Sequence, residues 1–139
     1  MISIDFDEET HILQMNYSIS VDKANLERFI QYLDHAENLP ANLKVYHRAG
    51  DIGSTIKISD LMRFLKEMKR GTGKFETGRA AVYTTNNTAL SLSKMYEKLN
   101  IESNTKFMTF KSERAAVSWL VDLCLSKRSQ NIITIRENQ

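Results

Sequence analysis

The chain has 139 residues, of which 42% are hydrophobic and 26% charged, and its formal net charge is +2. That length suits one domain able to bury roughly two-thirds of its unfolded surface, and the balance of residue types excludes a wholly disordered chain. A single cysteine, Cys124, excludes an intramolecular disulfide framework and fits a reducing compartment.

The chain opens with alternation of period two. Ile2, Ile4 and Phe6 are apolar, and after a turn at Asp7-Glu8-Glu9-Thr10 so are Leu13, Met15, Tyr17 and Ile19. This predicts an antiparallel hairpin with one buried face. The period then changes to 3.6. Leu26, Phe29, Ile30 and Leu33 form a helical stripe behind an N-cap at Asp22, and Pro40 follows the helix. Leu43-Lys44-Val45-Tyr46 predicts a short strand, followed by an irregular loop from about His47 to Lys57.

In the second predicted helix Ile58, Leu61, Met62, Leu65 and Met68 share a face, and Gly71 and Gly73 place its end near Arg70. Ala80-Ala81-Val82-Tyr83 reads as a strand covered on both sides. A third helix turns Ala89, Leu92, Met95, Tyr96 and Leu99 inward, and Lys106 to Phe110 form the next strand. The last helix starts at an N-cap, Ser112, and buries Ala116, Trp119, Leu120 and Leu123, with Cys124 as a core thiol on the same stripe. Residues 128–139 surround Ile132-Ile133-Thr134-Ile135 and either add an edge strand or form a tail.

The fold class is therefore α/β, a single domain over residues 1–127. Its order is β-β-α-β-α-β-α-β-α, with an antiparallel hairpin leading into parallel strands joined by right-handed crossovers. The acidic start, Met1 to Glu9, is unlike a basic signal-peptide region, and no run reaches the ~20 apolar residues of a membrane-spanning helix, so a cytoplasmic protein is expected.

Four segments carry a family resemblance: the hairpin Met1-Ile2-Ser3 to Ile12-Leu13; Leu43-Lys44-Val45 with its loop and amphipathic helix; Arg79-Ala80-Ala81-Val82-Tyr83-Thr84-Thr85-Asn86-Asn87 running on to Glu97; and Phe107 to Leu120. Together they resemble the STAS fold of sulfate transporters and anti-sigma-factor antagonists, specifically its SpoIIAA-like branch of small bacterial proteins, from residue 1 to about 125. The resemblance implies a non-enzymatic regulatory domain that binds a protein partner. Likeness of the same branch to CRAL-TRIO domains implies the alternative, a carrier of a lipid or other small apolar molecule. Phosphoregulated STAS antagonists place a serine in an Asp-Ser-Ser/Thr-Gly stretch at the start of the helix after the third strand. Here that region runs from Asp51 to Asp60 and offers Ser54, Thr55 and Ser59 as phosphoacceptors without that motif.

His11, His35, His47 and Cys124 show no metal-ligand spacing, so neither metal nor cofactor is expected. Gly71-Thr72-Gly73-Lys74 lacks the spacing of a phosphate loop and precedes a strand where such a loop follows one. Arg63, Lys66, Lys69, Arg70, Lys74 and Arg79 suggest a basic face. Glu67 and Glu76 interrupt it and only Phe64 and Phe75 are near for base stacking, so no nucleic-acid partner is expected. Residues 1–40 carry a net −6 and residues 41–139 a net +8, which either steers an anionic partner or marks two solvated faces.

Ligands of open α/β sheets gather at the carboxyl ends of parallel strands. There the loops hold Arg48, Asp51, Thr84, Thr85, Asn86 and Asn87, and further on Lys111 and Ser112. These residues either bind a phosphate-like or carboxylate ligand at helix N-termini or cap those helices. His47, Arg48 and Asp51 form the one cluster suited to acid–base chemistry. Self-association through an edge strand, giving a homodimer, is a further possibility of such a sheet.

Overall fold

The computed structural model describes residues 2–71, 78–100 and 105–128, with side chains up to residue 68, from 78 to 100 and from 105 to 121. The Gly-rich segment beyond Gly71, the tail from residue 129, and the side chains of Leu123 and Cys124 lie outside the described residues.

Among the described residues the order is β1 (Ile2–Asp7), β2 (Ile12–Tyr17), α1 (Lys23–His35), β3 (Lys44–Gly50), α2 (Ile58–Gly71), β4 (Gly78–Thr84), α3 (Asn87–Leu99), β5 (Thr105–Phe110) and α4 (Glu113–Arg128). The strands lie side by side in chain order. β1 and β2 are antiparallel, with Ile2 opposite Tyr17 and Phe6 opposite Leu13, and every later pairing is parallel. Asp22 caps α1 by accepting from the Asn25 amide at 2.9 Å, as its sequence position suggests.

Three parallel steps in one direction, each closed by a right-handed crossover, put α1, α2 and α3 on the same side of the sheet. They bury Leu13, Met15, Tyr17, Val45, Ala49 and Ala80 together with Leu26, Phe29, Leu61 and Tyr96. α4 packs on the other side over β3, β4 and β5, where Tyr46, Ala81, Ala116 and Leu120 form a smaller core. Beyond its reach the hairpin presents polar side chains to solvent on that side. Gln14 Nε2 donates to Asn16 Oδ1 at 2.9 Å, and Asn16 Nδ2 to Ser3 Oγ at 3.3 Å.

Two glycines meet specific needs. Gly50 ends β3 with φ +61°, a backbone state that costs most L residues energy, and Gly78 opens β4 where a Cβ would lie 2.6 Å from Thr105 Oγ1.

The structure departs from the sequence reading in several places. Ile19, read on the hairpin's buried face, lies beyond β2 and is exposed, and Met95, read as inward on α3, is exposed as well. β3 does not stop at Tyr46 but continues to Gly50, so His47, Arg48 and Ala49 are strand residues. The polar pair hides the strand because successive side chains go to opposite faces, where each finds its own partner. In α2 the buried stripe is Leu61, Phe64, Leu65 and Met68, while Ile58 and Met62 are exposed. α2 lies between α1 and α3, and Phe64 packs on Phe29 and Tyr96 with ring centroids 6.4 and 5.7 Å away, which sets the rotation of the helix. Finally, Arg79 does not share a face with Arg63 and Lys66, and the side chains of Lys69, Arg70 and Lys74 lie outside those described. Arg79 lies on the α4 side, its guanidinium carbon 5.6 Å from the centre of the Trp119 ring, whereas Arg63 and Lys66 ride on α2.

Leu120 is fully buried beneath the helix that covers the second face. Leu120→Ala is expected to lower the unfolding free energy by about 2–5 kcal/mol in urea titrations, because the cavity it leaves cannot collapse fully. The NMR signals of the opposite face, His47 included, should stay in place.

Candidate functional site

The loop residues expected to bind an anion spend their polar groups on one another. Thr84 is fully buried, its hydroxyl donates to the Gly50 carbonyl at 3.1 Å, and it accepts from the Asn86 amide at 3.2 Å. The Thr85 amide donates to the same Gly50 carbonyl at 2.7 Å. Asn86 caps α3 by accepting from the Thr88 and Ala89 amides at 3.0 and 3.1 Å, and its Nδ2 donates to the Asp51 carbonyl at 3.3 Å. Asp51, Thr85 and Asn87 have exposed side chains. The loops are thus stitched together by their own caps.

Arg48 is not part of this group. It lies on the α4 face, where its Nε donates to Glu113 Oε2, and the Tyr46 hydroxyl donates to the same oxygen at 2.6 Å. Those two donors hold the Glu113 carboxyl below its ordinary range, Tyr46 first and Arg48 second. Burial, reinforced by the Glu113 carboxylate, pushes the Tyr46 hydroxyl far up, so it remains a donor. His47 points to the other face, so His47, Arg48 and Asp51 do not converge.

The phosphoacceptor candidates also separate. The Ser54 hydroxyl is half-buried, donates to the Val21 carbonyl at 2.9 Å and accepts from the Ile56 amide at 3.2 Å. It anchors a parallel bridge between Val21 and Ser54 that closes the end of the sheet. Thr55 and Ser59 have exposed side chains, and the Thr55 amide bonds the Val21 carbonyl at 3.1 Å.

A different site emerges on the three-helix side. An apolar cavity of about 80 Å³ lies between the sheet and the helices, with Tyr17, His47, Ala49 and Val82 on its sheet wall and Phe64 and Tyr96 on its helix wall. Its rim holds the half-buried Ser54, Ile56 and Ser93. A smaller cavity of about 30 Å³ adjoins His47 towards Leu33 and Met68.

His47 is 8% exposed, its Nδ1 is 2.8 Å from the Tyr17 hydroxyl, and the Phe29 ring meets it edge-on at 5.2 Å. Burial lowers the imidazole to about 4 and pushes the Tyr17 hydroxyl well above its usual range, so both are neutral at pH 7. The two neutral groups share one hydrogen bond, which the Tyr17 hydroxyl donates in one imidazole tautomer and Nδ1–H donates in the other.

The signal for this pair was present in the sequence. Val45, His47 and Ala49 continue the strand's alternation, and Tyr17 lies on the hairpin's apolar face.

No family model matches the chain, and no curated protein matches it. Among solved structures the chain is similar to an uncharacterized protein of the DUF3478 family with a SpoIIAA-like fold from Shewanella loihica PV-4. The TM-score is 0.55, and 86% of this chain and 92% of that one are covered at 14% identity. The fold is SpoIIAA-like. This chain builds a neutral Tyr–His pair into its larger core. Among the described residues no helix is long and apolar enough to cross a membrane, and no three His, Cys, Asp or Glu side chains gather to hold a metal ion.

Two predictions follow from these contacts. The folded-state value of His47, about 4, lies below its ordinary 6.5, so the unfolded chain takes up this proton first as pH falls. Its contribution to stability is intact above about 6.5 and drains away between 6.5 and about 4, by up to ~1.4 kcal/mol per pH unit. Chemical unfolding of wild type against His47→Gln across that window should show the difference between them shrinking towards low pH. At Ser54, alanine should cost about 0.5–2 kcal/mol by loss of its two hydrogen bonds. Ser54→Asp should cost more, because a carboxylate cannot donate to the Val21 carbonyl; melting temperatures report both.

Proposed function

We propose that this chain is a non-enzymatic regulatory domain of the STAS type, acting in the cytoplasm, that docks a protein partner at the carboxyl end of its sheet. The observation that carries this reading is an exposed apolar group at that end. Ile19 is 76% exposed just after β2, and Ile58 and Met62 are 59% and 46% exposed in the first turns of α2, which follows β3. Large apolar side chains held in water on a well-packed domain mark an interaction surface. The separation of His47, Arg48 and Asp51 supports the non-enzymatic part, since acid–base catalysis needs such groups within hydrogen-bond reach of one substrate. The exposed Asp51 carboxylate works against an anionic ligand among the neighbouring loops.

The test compares tagged wild type with Ile58→Ser/Met62→Ser, purified from cells that make the protein. A protein recovered in stoichiometric amount with wild type and lost with the variant, at equal melting temperature, is expected. Equal recovery from both would remove this surface. Light scattering adds the homodimer case: a dimer that the same substitutions dissolve makes the partner a second copy of the chain.

The cavity beside His47 favours a second reading, a carrier of a small apolar molecule. At about 80 Å³ it is far below the roughly 300–1,000 Å³ of pockets that enclose drug-sized ligands, so a short molecule fits and an acyl chain does not.

A further inference from the structure

The five-stranded sheet ends in two edge strands, and the chain treats them differently. At β5 the end of α3 covers the outer backbone groups. Glu97 Oε2 accepts from the Thr109 amide at 3.2 Å, and Asn100 Nδ2 donates to the Thr105 carbonyl at 2.8 Å. At β1 the register decides which groups face outward. The Lys44 amide donates to the His11 carbonyl, so the odd-numbered residues of β2 serve β3, and Ile12, Gln14 and Asn16 serve β1. Opposite them Asp7, Asp5 and Ser3 are paired, which leaves the N–H and C=O groups of Ile4 and Phe6 pointing away from the sheet. Those groups have no partner among the described residues.

The two faces of this edge differ in chemistry. On the three-helix side the half-buried Ile4 and Tyr32 floor an open groove of about 350 Å³, bordered by Arg28 and Gln31. On the other side Ser3, Asp5 and Asp7 are exposed, and Glu8 and Glu9 extend the negative charge into the turn. A strand added here sends alternate side chains to the two faces. Those beside Ile4 meet apolar surface with the Arg28 cation at its margin, which favours uncharged aliphatic residues. Those beside Asp5 and Asp7 meet carboxylates, which favour Lys or Arg. A second copy is a poor occupant, because antiparallel pairing of two β1 strands gathers both pairs of aspartates on one face.

We propose that the free edge of β1 docks an extended segment of another protein, in which aliphatic residues alternate with Lys or Arg, as an added strand. Its main-chain groups would bond those of Ile4 and Phe6. This edge is a second surface, on a different element from Ile58 and Met62, and goes beyond the docking assigned to them.

The test titrates isotope-labelled protein with a blocked heptapeptide of alternating lysine and valine and, separately, with its glutamate–valine counterpart. NMR follows the backbone amides and their hydrogen exchange. In the free protein the Ile4 and Phe6 amides are expected to exchange fast, as unbonded edge groups do. The lysine peptide should shift and protect them, and bind at least about ten-fold more tightly than the glutamate peptide at low salt. Asp5→Lys, at an exposed side chain, should reverse that preference, and Ile58→Ser/Met62→Ser should leave it unchanged. Protection of the Ile4 and Phe6 amides before any peptide is added means the edge is already filled, and overturns the proposal. Equal affinity for the two peptides overturns the charge of the partner. Binding that leaves the Ile4 and Phe6 amides unprotected, or no saturable shift with either peptide, overturns strand addition at β1.

Discussion

Each parallel step in this sheet moves to the next strand in the same direction, and a right-handed crossover can then cover only one side. Three helices crowd onto that side, and the other depends on the single helix that follows the last strand. The domain is consequently lopsided. Its thick core runs from Leu13 and Met15 through Phe29 to Leu61 and Tyr96, and its thin one rests on Tyr46, Ala81, Ala116 and Leu120. The polar face of the hairpin follows from the same cause, since α4 reaches β3, β4 and β5 but leaves Ser3 exposed and Gln14 and Asn16 only half-buried.

A continuous run of rings binds the crowded side together. Tyr17 stacks near His47, His47 meets Phe29, Phe29 meets Phe64, Phe64 meets Tyr96, and Tyr96 meets Phe107 at 4.5 Å. Contacts of this kind add to plain area burial through the ring quadrupoles, and here they link three strands to all three crossover helices. Rigid rings joined in this way also leave gaps that flexible chains would fill. The cavity beside His47 is such a gap, and the polar group placed there is neutral at pH 7 because desolvation outweighs its tendency to protonate.

The carboxyl end of the sheet brings the two proposed activities close to one another. The bridge between Val21 and Ser54 closes the end next to the cavity rim, and the segment continuing from Ser54 leads directly into Ile58. A molecule entering beside Ile56 and Ser93 thus passes close to the start of α2. The hydrogen bonds of Thr84, Asn86 and Gly50 hold the neighbouring loops in one arrangement, so this end of the domain presents a defined surface.

Local pattern alone determined much of this. The hairpin, the element order and the Asp22, Asn86 and Ser112 caps were legible because alternation, helical spacing and capping chemistry act within a few residues. Tertiary packing decided the rest. A stripe through Ile58 and Met62 and one through Phe64 are equally helical, and only the position of α2 between Phe29 and Tyr96 chose the second. His47 and Arg48 read as a polar loop because each needs a partner that sequence proximity does not supply, Tyr17 thirty residues earlier and Glu113 sixty-five residues later. The same strand geometry that put those partners within reach sent the two side chains to opposite faces. It thereby dissolved the cluster the sequence suggested and created the buried Tyr17–His47 pair it did not.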